Sequence, residues 1–214
     1  MSDNLISVIT PSFLGEFPGA SPHRKEKFIR AVDSFLKQTY HKKELIVISD
    51  GCPTTIDVCE RRYRKELSTG LIILVQLPRH EPFTGAVRQQ GIDIAKGAIL
   101  CNLDTDDLFL PHHLQNISVT FNPEQYDWAY FNFYRSLDSL RNVEELIDAE
   151  PNTDQLCTAN VVWRPGLDVS WNKCDGRQDN KAFNAQLIEK YTKRIKIYGC
   201  GYVVKHAQFK KVDP

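Results

Sequence analysis

Three carboxylates fall within the four-residue run Asp104-Thr105-Asp106-Asp107. Like charges held that close repel one another unless a cation or solvent offsets them. Carboxylate oxygens are hard ligands, so the cation such a run suits is Mg²⁺ or Mn²⁺, each of which commonly completes its shell with water and substrate phosphates. The same composition also suits a surface turn that caps a helix beginning near Pro111, and the motif taken alone leaves both readings open.

The elements around the run decide where it sits. Leu5–Thr10 (LISVIT), Glu44–Ser49 (ELIVIS), Leu71–Gln76 and Ala98–Leu103 read as four short strands. Between them, Phe28, Val32, Phe35 and Leu36 mark one face of a helix, a charged helix is expected over Ile56–Leu67, and another near Gly85–Ala95. That βα alternation predicts an α/β fold with an open, mostly parallel sheet. Such sheets bind ligands at the carboxyl ends of their strands. The residues there are polar: Thr10-Pro11-Ser12, Asp50-Gly51, and the acidic run itself. Gly91 and Gly97 fit close packing and a helix stop better than chemistry.

The later residues are less regular. Asp127–Tyr134 (DWAYFNFY) reads as an aromatic strand, Thr158–Trp163 as a shorter one, and Asp179–Tyr191 as a helix with Phe183, Leu187 and Tyr191 on one face. Ile195–Lys205 predicts one or two closing strands broken at Gly199 and Gly201. Ser136–Gln155 is acidic and poorly patterned, which predicts a mobile loop.

With 214 residues, the chain has room for one α/β domain, or one with a small appended lobe. Lys+Arg and Asp+Glu number 27 each, a balance that argues against a strong electrostatic footprint for nucleic acid or anionic membrane. No run reaches the ~18 apolar residues that cross a bilayer, and the start has no signal-peptide pattern. The expected location is therefore cytoplasmic. Cysteines at 52, 59, 101, 157, 174 and 200 form no C-x-x-C pair, so reduced, buried thiols are expected rather than a zinc or redox motif.

Read together, ISVITPS, FIRAVDSFLKQTYHKKELIVISDG and RQQGIDIAKGAILCNLDTDDLFLP resemble the family 2 glycosyltransferases of the GT-A fold, over most of residues 5 to 115. The resemblance implies a Rossmann-like central sheet with helices on both faces and a smaller acceptor-side sheet, in one domain spanning residues 1–214. Its first 110 or so residues would bind the nucleotide sugar, and 111–214 the acceptor. It implies a nucleotide-diphosphate donor, with a UDP-sugar favoured, held by Thr10, Pro11, Ser12, Asp50, Arg88 and Asp104. Asp104, Asp106 and a late His206 would hold Mn²⁺ or Mg²⁺, while Asp107 would either support that site from behind or cap a helix. A metal on the β-phosphate lowers the barrier to breaking the sugar–oxygen bond by stabilising the departing charge.

The family's inverting members also carry an Asp that removes the acceptor proton. In WNKCDGRQDNKAF that residue is Asp179, with Gln178 where Glu is more usual and Asp175 as the fallback. Trp163 and Trp171 suit core packing better than stacking on a substrate ring. The acceptor expected is a glycan, a glycolipid or another hydroxyl compound; a modified base in DNA, suggested by the Lys/Arg-rich end, is less favoured. A phosphatase would carry its Asp-x-Asp on the first strand, a nucleotidyltransferase a Gly-rich, Arg-containing first loop, and a dinucleotide enzyme G-x-G-x-x-G. None of these patterns is present, and a silent sugar-nucleotide binding module has little use for a base.

Overall fold

The computed structural model describes residues 3–17, 20, 22–80, 85–138, 143–171 and 179–205, without the side chains of Leu137, Asp138, Val143, Glu144 and Asp179. Strand β1 (Ile6–Ser12) is central. It runs parallel to β2 (Lys43–Asp50) on one side and to β4 (Ile99–Asn102) on the other, and β3 (Ile72–Leu77) lies parallel beyond β2. Every residue of β2 is buried, as befits a strand covered on both faces. Leu45 and Val47 pack with Phe28, Val32 and Phe35 of α1 (Arg24–Leu36) and with Val58 and Cys59 of α2 (Pro53–Arg62). Ile46 and Ile48, pointing the other way, pack with Val87 of α4 (Gly85–Ile94). The period-2 alternation of a strand thus builds two cores from one apolar run.

The same sheet continues with β9 (Val161–Trp163), β6 (Trp128–Phe131) and β10 (Arg194–Ile197), in the order β10-β6-β9-β4-β1-β2-β3. Strand β9 is antiparallel to both β4 and β6. Trp163 and Trp171 pack against Phe183 of α6 (Asp179–Lys190), with ring centroids 5.1 and 4.3 Å away, and both indoles are buried. Leu114 and Ile117 of α5 (His113–Thr120) close the core on the α1 face. A smaller sheet has the order β5-β11-β7-β8, formed by Leu108–Phe109, Tyr202–Val204, Phe133–Asp138 and Val143–Ile147. A mostly parallel central sheet, helices on both faces and a second sheet are what the sequence predicts.

Four local expectations need correction. The charged helix over 56–67 is two helices, α2 and α3 (Arg64–Ser68), which part at Tyr63. The Tyr63 hydroxyl donates to Asp33 Oδ1 on α1 at 2.8 Å. The aromatic run 127–134 is split at Asn132, where the chain leaves one sheet for the other and Asn132 Oδ1 accepts the Ala149 N–H at 3.0 Å. The stretch 136–155 is not a loop: β7 extends to Asp138, β8 pairs antiparallel with it, and Ala149 and Leu156 are buried. Its pattern is blurred because β8 is an edge strand that exposes both Glu145 and Leu146. The helix expected from Pro111 begins at His113.

Gly97 is held to its size by backbone: a Cβ there would lie 2.7 Å from Ser7 N and 2.8 Å from Leu5 O. Cys52, Cys59, Cys101, Cys157 and Cys200 are free thiols, as expected, while Cys174 lies outside the described residues.

His113 is fully buried among Phe109, Phe131 and Tyr202, and neither ring nitrogen has a hydrogen-bond partner among the described residues. Burial lowers its pKa from 6.5 to about 3. A group whose folded pKa is depressed in this way must be neutral to fold, so it costs nothing above pH 6.5 and progressively more as pH falls towards 3. Between pH 6.5 and 5 that loss is about 2 kcal/mol of unfolding free energy. Urea unfolding at pH 7 and pH 5 tests this: His113→Phe is expected to abolish most of the wild-type difference.

Candidate active site

The register of the central strands sets the site. Ser12 pairs with Ser49 and Asp50 with Leu77, so Ser12, Asp50 and the residues following Leu77 emerge at one edge of the sheet. On the other flank Ile9 pairs with Asn102, and the Leu103 N–H bonds to Ile9 O at 3.0 Å, which brings Asp104 to the same edge. The chain runs outwards from β1 through β2 to β3, then crosses back to place β4 on the opposite side of β1. The gap between β1 and β4 is therefore the topological switch point, where open sheets bind their ligands.

A cleft of about 350 Å³ opens there, and its lining includes Pro11, Ser12, Phe13, Asp50, Arg88, Asp104 and Asp106. Of the residues expected from sequence, Thr10 alone of the first-strand group is shut out. It is completely buried, and its hydroxyl has no partner among the described residues. Asp179 starts α6, but its side chain lies outside the described set, as do Asp175, Gln178 and His206.

Asp50 is the most engaged carboxylate of the cleft. It accepts the His80 N–H at 2.7 Å, lies 3.1 Å from His80 Nδ1, and forms an ion pair with Arg79. Gly51 permits this closeness, with φ +59° and a missing Cβ that would fall 2.7 Å from Arg79 N. The Arg79 guanidinium lies 3.7 Å from the centroid of Phe13. Arg24, at the start of α1, donates to Phe13 O and lies 4.7 Å from the Phe17 ring. The cleft thus has one wall of alternating cations and aromatic faces, an arrangement in which each cation is attracted to the ring beside it. Phe13, Phe17, Arg24, Arg79 and His80 were not singled out from sequence. Arg79 and His80 follow β3 at the same carboxyl edge, and that rule would have found them.

The acidic run is tied down from three sides. Arg88 Nη2 donates to Asp104 Oδ1 at 2.7 Å, and its guanidinium lies 5.1 Å from the Trp171 ring. Arg30 of α1 donates to the main-chain oxygen of Asp106. The Tyr202 hydroxyl accepts the Asp104 N–H at 3.2 Å and donates to Asp107 Oδ2 at 2.9 Å, while the Lys205 N–H reaches Asp107 Oδ1 at 2.8 Å. Asp107 is therefore a buried brace, not a helix cap. Its burial, then the charges of Asp104 and Asp106, push its carboxyl well above the usual range against the opposing pull of those two hydrogen bonds.

Asp104, 28% exposed and with one oxygen on Arg88, and Asp106 both line the cleft, so their free oxygens fit a hard divalent cation. Among the described residues no three potential ligand side chains converge. The two carboxylates leave room for phosphate oxygens and water in such a shell.

A switch-point cleft lined by carboxylates and guanidinium groups, on a mostly parallel sheet with a second small sheet, is the arrangement that the family and fold comparisons place. The chain belongs to glycosyl transferase family 2, whose family model matches residues 7–197. Its fold is that of GT-A glycosyltransferases such as residues 1–349 of TarS from S. aureus, with a TM-score of 0.74 at 15% identity over 94% of this chain and 60% of that one. TarS 1–349 in complex with UDP-GlcNAc gives 0.71 at 14% identity over 95% of this chain and 59% of that one. The mannosyltransferase PcManGT from Pyrobaculum calidifontis, in complex with GDP-Man and Mn²⁺, gives 0.61 at 14% identity, covering 97% of this chain and 58% of that one. This chain thus spans about three fifths of the length of these solved structures. No curated protein matches it in sequence. Among the described residues, no helix is long and apolar enough to cross a membrane.

Tyr202→Phe removes one acceptor and one donor from the acidic loop. It is expected to lower the unfolding free energy by roughly 1–3 kcal/mol, read as a lower urea midpoint with an unchanged far-UV spectrum.

Proposed function

We propose that the chain transfers a sugar from a nucleotide-diphosphate donor to an acceptor hydroxyl, as a metal-dependent, inverting glycosyltransferase. The observation that carries this reading is the switch-point cleft, which holds Asp50, Arg79 and Phe13 in one cluster and Arg88, Asp104 and Asp106 in another. Asp50 has the chemistry to accept the imide N–H of a uracil-type base, which favours a UDP-sugar. Phe13 offers that base a flat apolar face, and Pro11 and Ser12 border it. Thr10, buried behind them, shapes the wall. Asp104 serves the ribose and the metal, and Arg88, oriented by Asp104, meets the phosphates.

Mn²⁺ or Mg²⁺, held by Asp104 and Asp106 with His206 as a further ligand, supplies Lewis-acid stabilisation of the departing diphosphate. Asp179, at the first turn of α6, takes the acceptor proton as the acceptor oxygen attacks the face opposite the leaving group. Residues up to about 110 form the donor half and 111–214 the acceptor half of one domain. The acceptor is a glycan or glycolipid, with DNA the less favoured choice. That TarS binds UDP-GlcNAc, and PcManGT binds GDP-Man with Mn²⁺, supports a nucleotide sugar and a divalent cation here.

Calorimetric titration of UDP and GDP, in Mn²⁺ and then in EDTA, tests the donor site. One nucleotide is expected to bind in Mn²⁺, at least about tenfold more weakly after chelation or in Asp106→Ala, the scale of one charge-assisted contact. A folded protein that binds neither nucleotide sinks the proposal. For the base, Asp179→Asn is expected to lower kcat by roughly 10²–10⁴ while leaving donor KM little changed. Proton NMR of the product reads the anomeric configuration, and retention would rule out the role given to Asp179.

A further inference from the structure

Helix α1 carries a feature that the donor reading does not use. Arg24, Lys27 and Arg30 recur every three residues along it, so they share one flank. All three are half-buried, whereas Lys25 and Glu26 between them are exposed. The flank lies against the acidic loop: Arg24 and Asp106 line the same cleft, and Arg30 holds the main-chain oxygen of Asp106. Of the carboxylates that act on Lys27, Asp106 acts most strongly.

None of the three side chains is in an ion pair among the described residues. Arg24 and Arg30 spend hydrogen bonds on main-chain oxygens, and the Lys27 ammonium has no hydrogen-bond partner among the described residues. Partial burial disfavours the charged form of each, and the nearby carboxylates, Asp106 for Arg24 and Lys27 and Asp107 ahead of Asp106 for Arg30, only partly offset that cost. No side chain caps the N-terminus of α1 among the described residues, so the positive end of a 13-residue helix lies beside them. In the donor reading a divalent cation on Asp104 and Asp106 would offset the two charges of a donor diphosphate, which leaves three further cations along α1. Arg30 also lines a second groove of about 410 Å³, whose polar lining is mixed: Ser34 and Lys37 with the carboxylates Glu26 and Asp33.

We propose that Arg24, Lys27 and Arg30 form a phosphate-binding ridge, which extends the donor cleft along α1 and takes a phosphoryl group of a substrate beside the acidic loop. The inference rests on the donor reading for its place in catalysis, but the ridge itself is testable without a nucleotide.

The probes are inorganic pyrophosphate and glycerol phosphate, titrated by calorimetry into the whole chain in EDTA, where no metal bridges anion to carboxylate. Wild type is expected to bind both, with affinity that falls as salt rises. Lys27→Gln is expected to weaken binding by about tenfold or more, Lys27→Arg to restore most of it, and Lys65→Gln, exposed on α3, to change nothing. Thermal melts check that the variants stay folded. Wild type that binds neither probe, or Lys27→Gln that binds as wild type does, overturns the ridge whatever the nucleotide result. Failure of UDP and GDP to bind would overturn the donor reading and leave these titrations untouched. Repeating the glycerol phosphate titration on nucleotide-saturated protein identifies the source. Binding retained assigns the ridge to a phosphate on the acceptor; binding lost assigns it to the donor diphosphate.

Discussion

The cleft depends on β1 being hydrogen-bonded in parallel on both sides at once, to β2 and to β4. That double pairing aligns three strand ends that are far apart in sequence, so Ser12, Asp50 and Asp104 open onto one space. A slip of one residue along any of these strands would turn its core side chains to the wrong face. Because β2 is buried along its whole length and β1 nearly so, such a slip would cost an entire apolar layer on each side. The positions of the cleft carboxylates are thus secured by the packing of the strands that carry them.

The acidic loop is a joint between the two sheets. It leaves β4 of the large sheet and enters β5 of the small one within a few residues, and β5 pairs with β11. Tyr202 and the Lys205 N–H, both contributed by the β11 segment, bond to the loop itself. Asp107 sits inside this joint, where burial and neighbouring charges favour its neutral form while two donors favour its charged one. Its work is mechanical: it keeps Asp104 and Asp106 facing the cleft by fixing the backbone after them. Two adjacent aspartates in one short motif therefore have opposite fates, Asp106 lining solvent-accessible space and Asp107 closed away from it.

Much of the first half was legible in sequence because its strands are short apolar runs punctuated by turn residues and separated by helices with clear stripes. Parallel strands buried on both faces need no subtle pattern, and the residues after them announce themselves by polarity: Ser49-Asp50 follows Ile48, and the acidic run follows Leu103. Legibility ended where the physics is less local. The aromatic run 127–134 has one composition but serves two sheets, because Asn132 supplies a hydrogen bond that lets the chain change direction. The edge strand β8 hides behind its exposed Glu145 and Leu146. Thr10 reads as a site residue by its place at a strand end, yet the sheet turns it inwards. Phe13 belongs to a loop with no periodicity and Arg24 to the first turn of α1, and only the folded chain shows the guanidinium groups lying on the rings.

Strand β9 has a temporal consequence. It is the antiparallel wedge between β4 and β6, yet it comes after both in the chain. As the polypeptide leaves the ribosome, β1 to β4 can assemble on one another, since the pairs β1–β2, β2–β3 and β1–β4 need no later strand. From that moment until residues 161–163 emerge, however, β4 and β6 each present a bare edge to the other across an empty slot. Unpaired edges of that kind template association with other chains. Val161, Val162 and Trp163 cover the edge of β4, while the far edge of β6 stays open until Arg194–Ile197 follow, so the large sheet is completed from its middle outwards and its last strand joins only with β10.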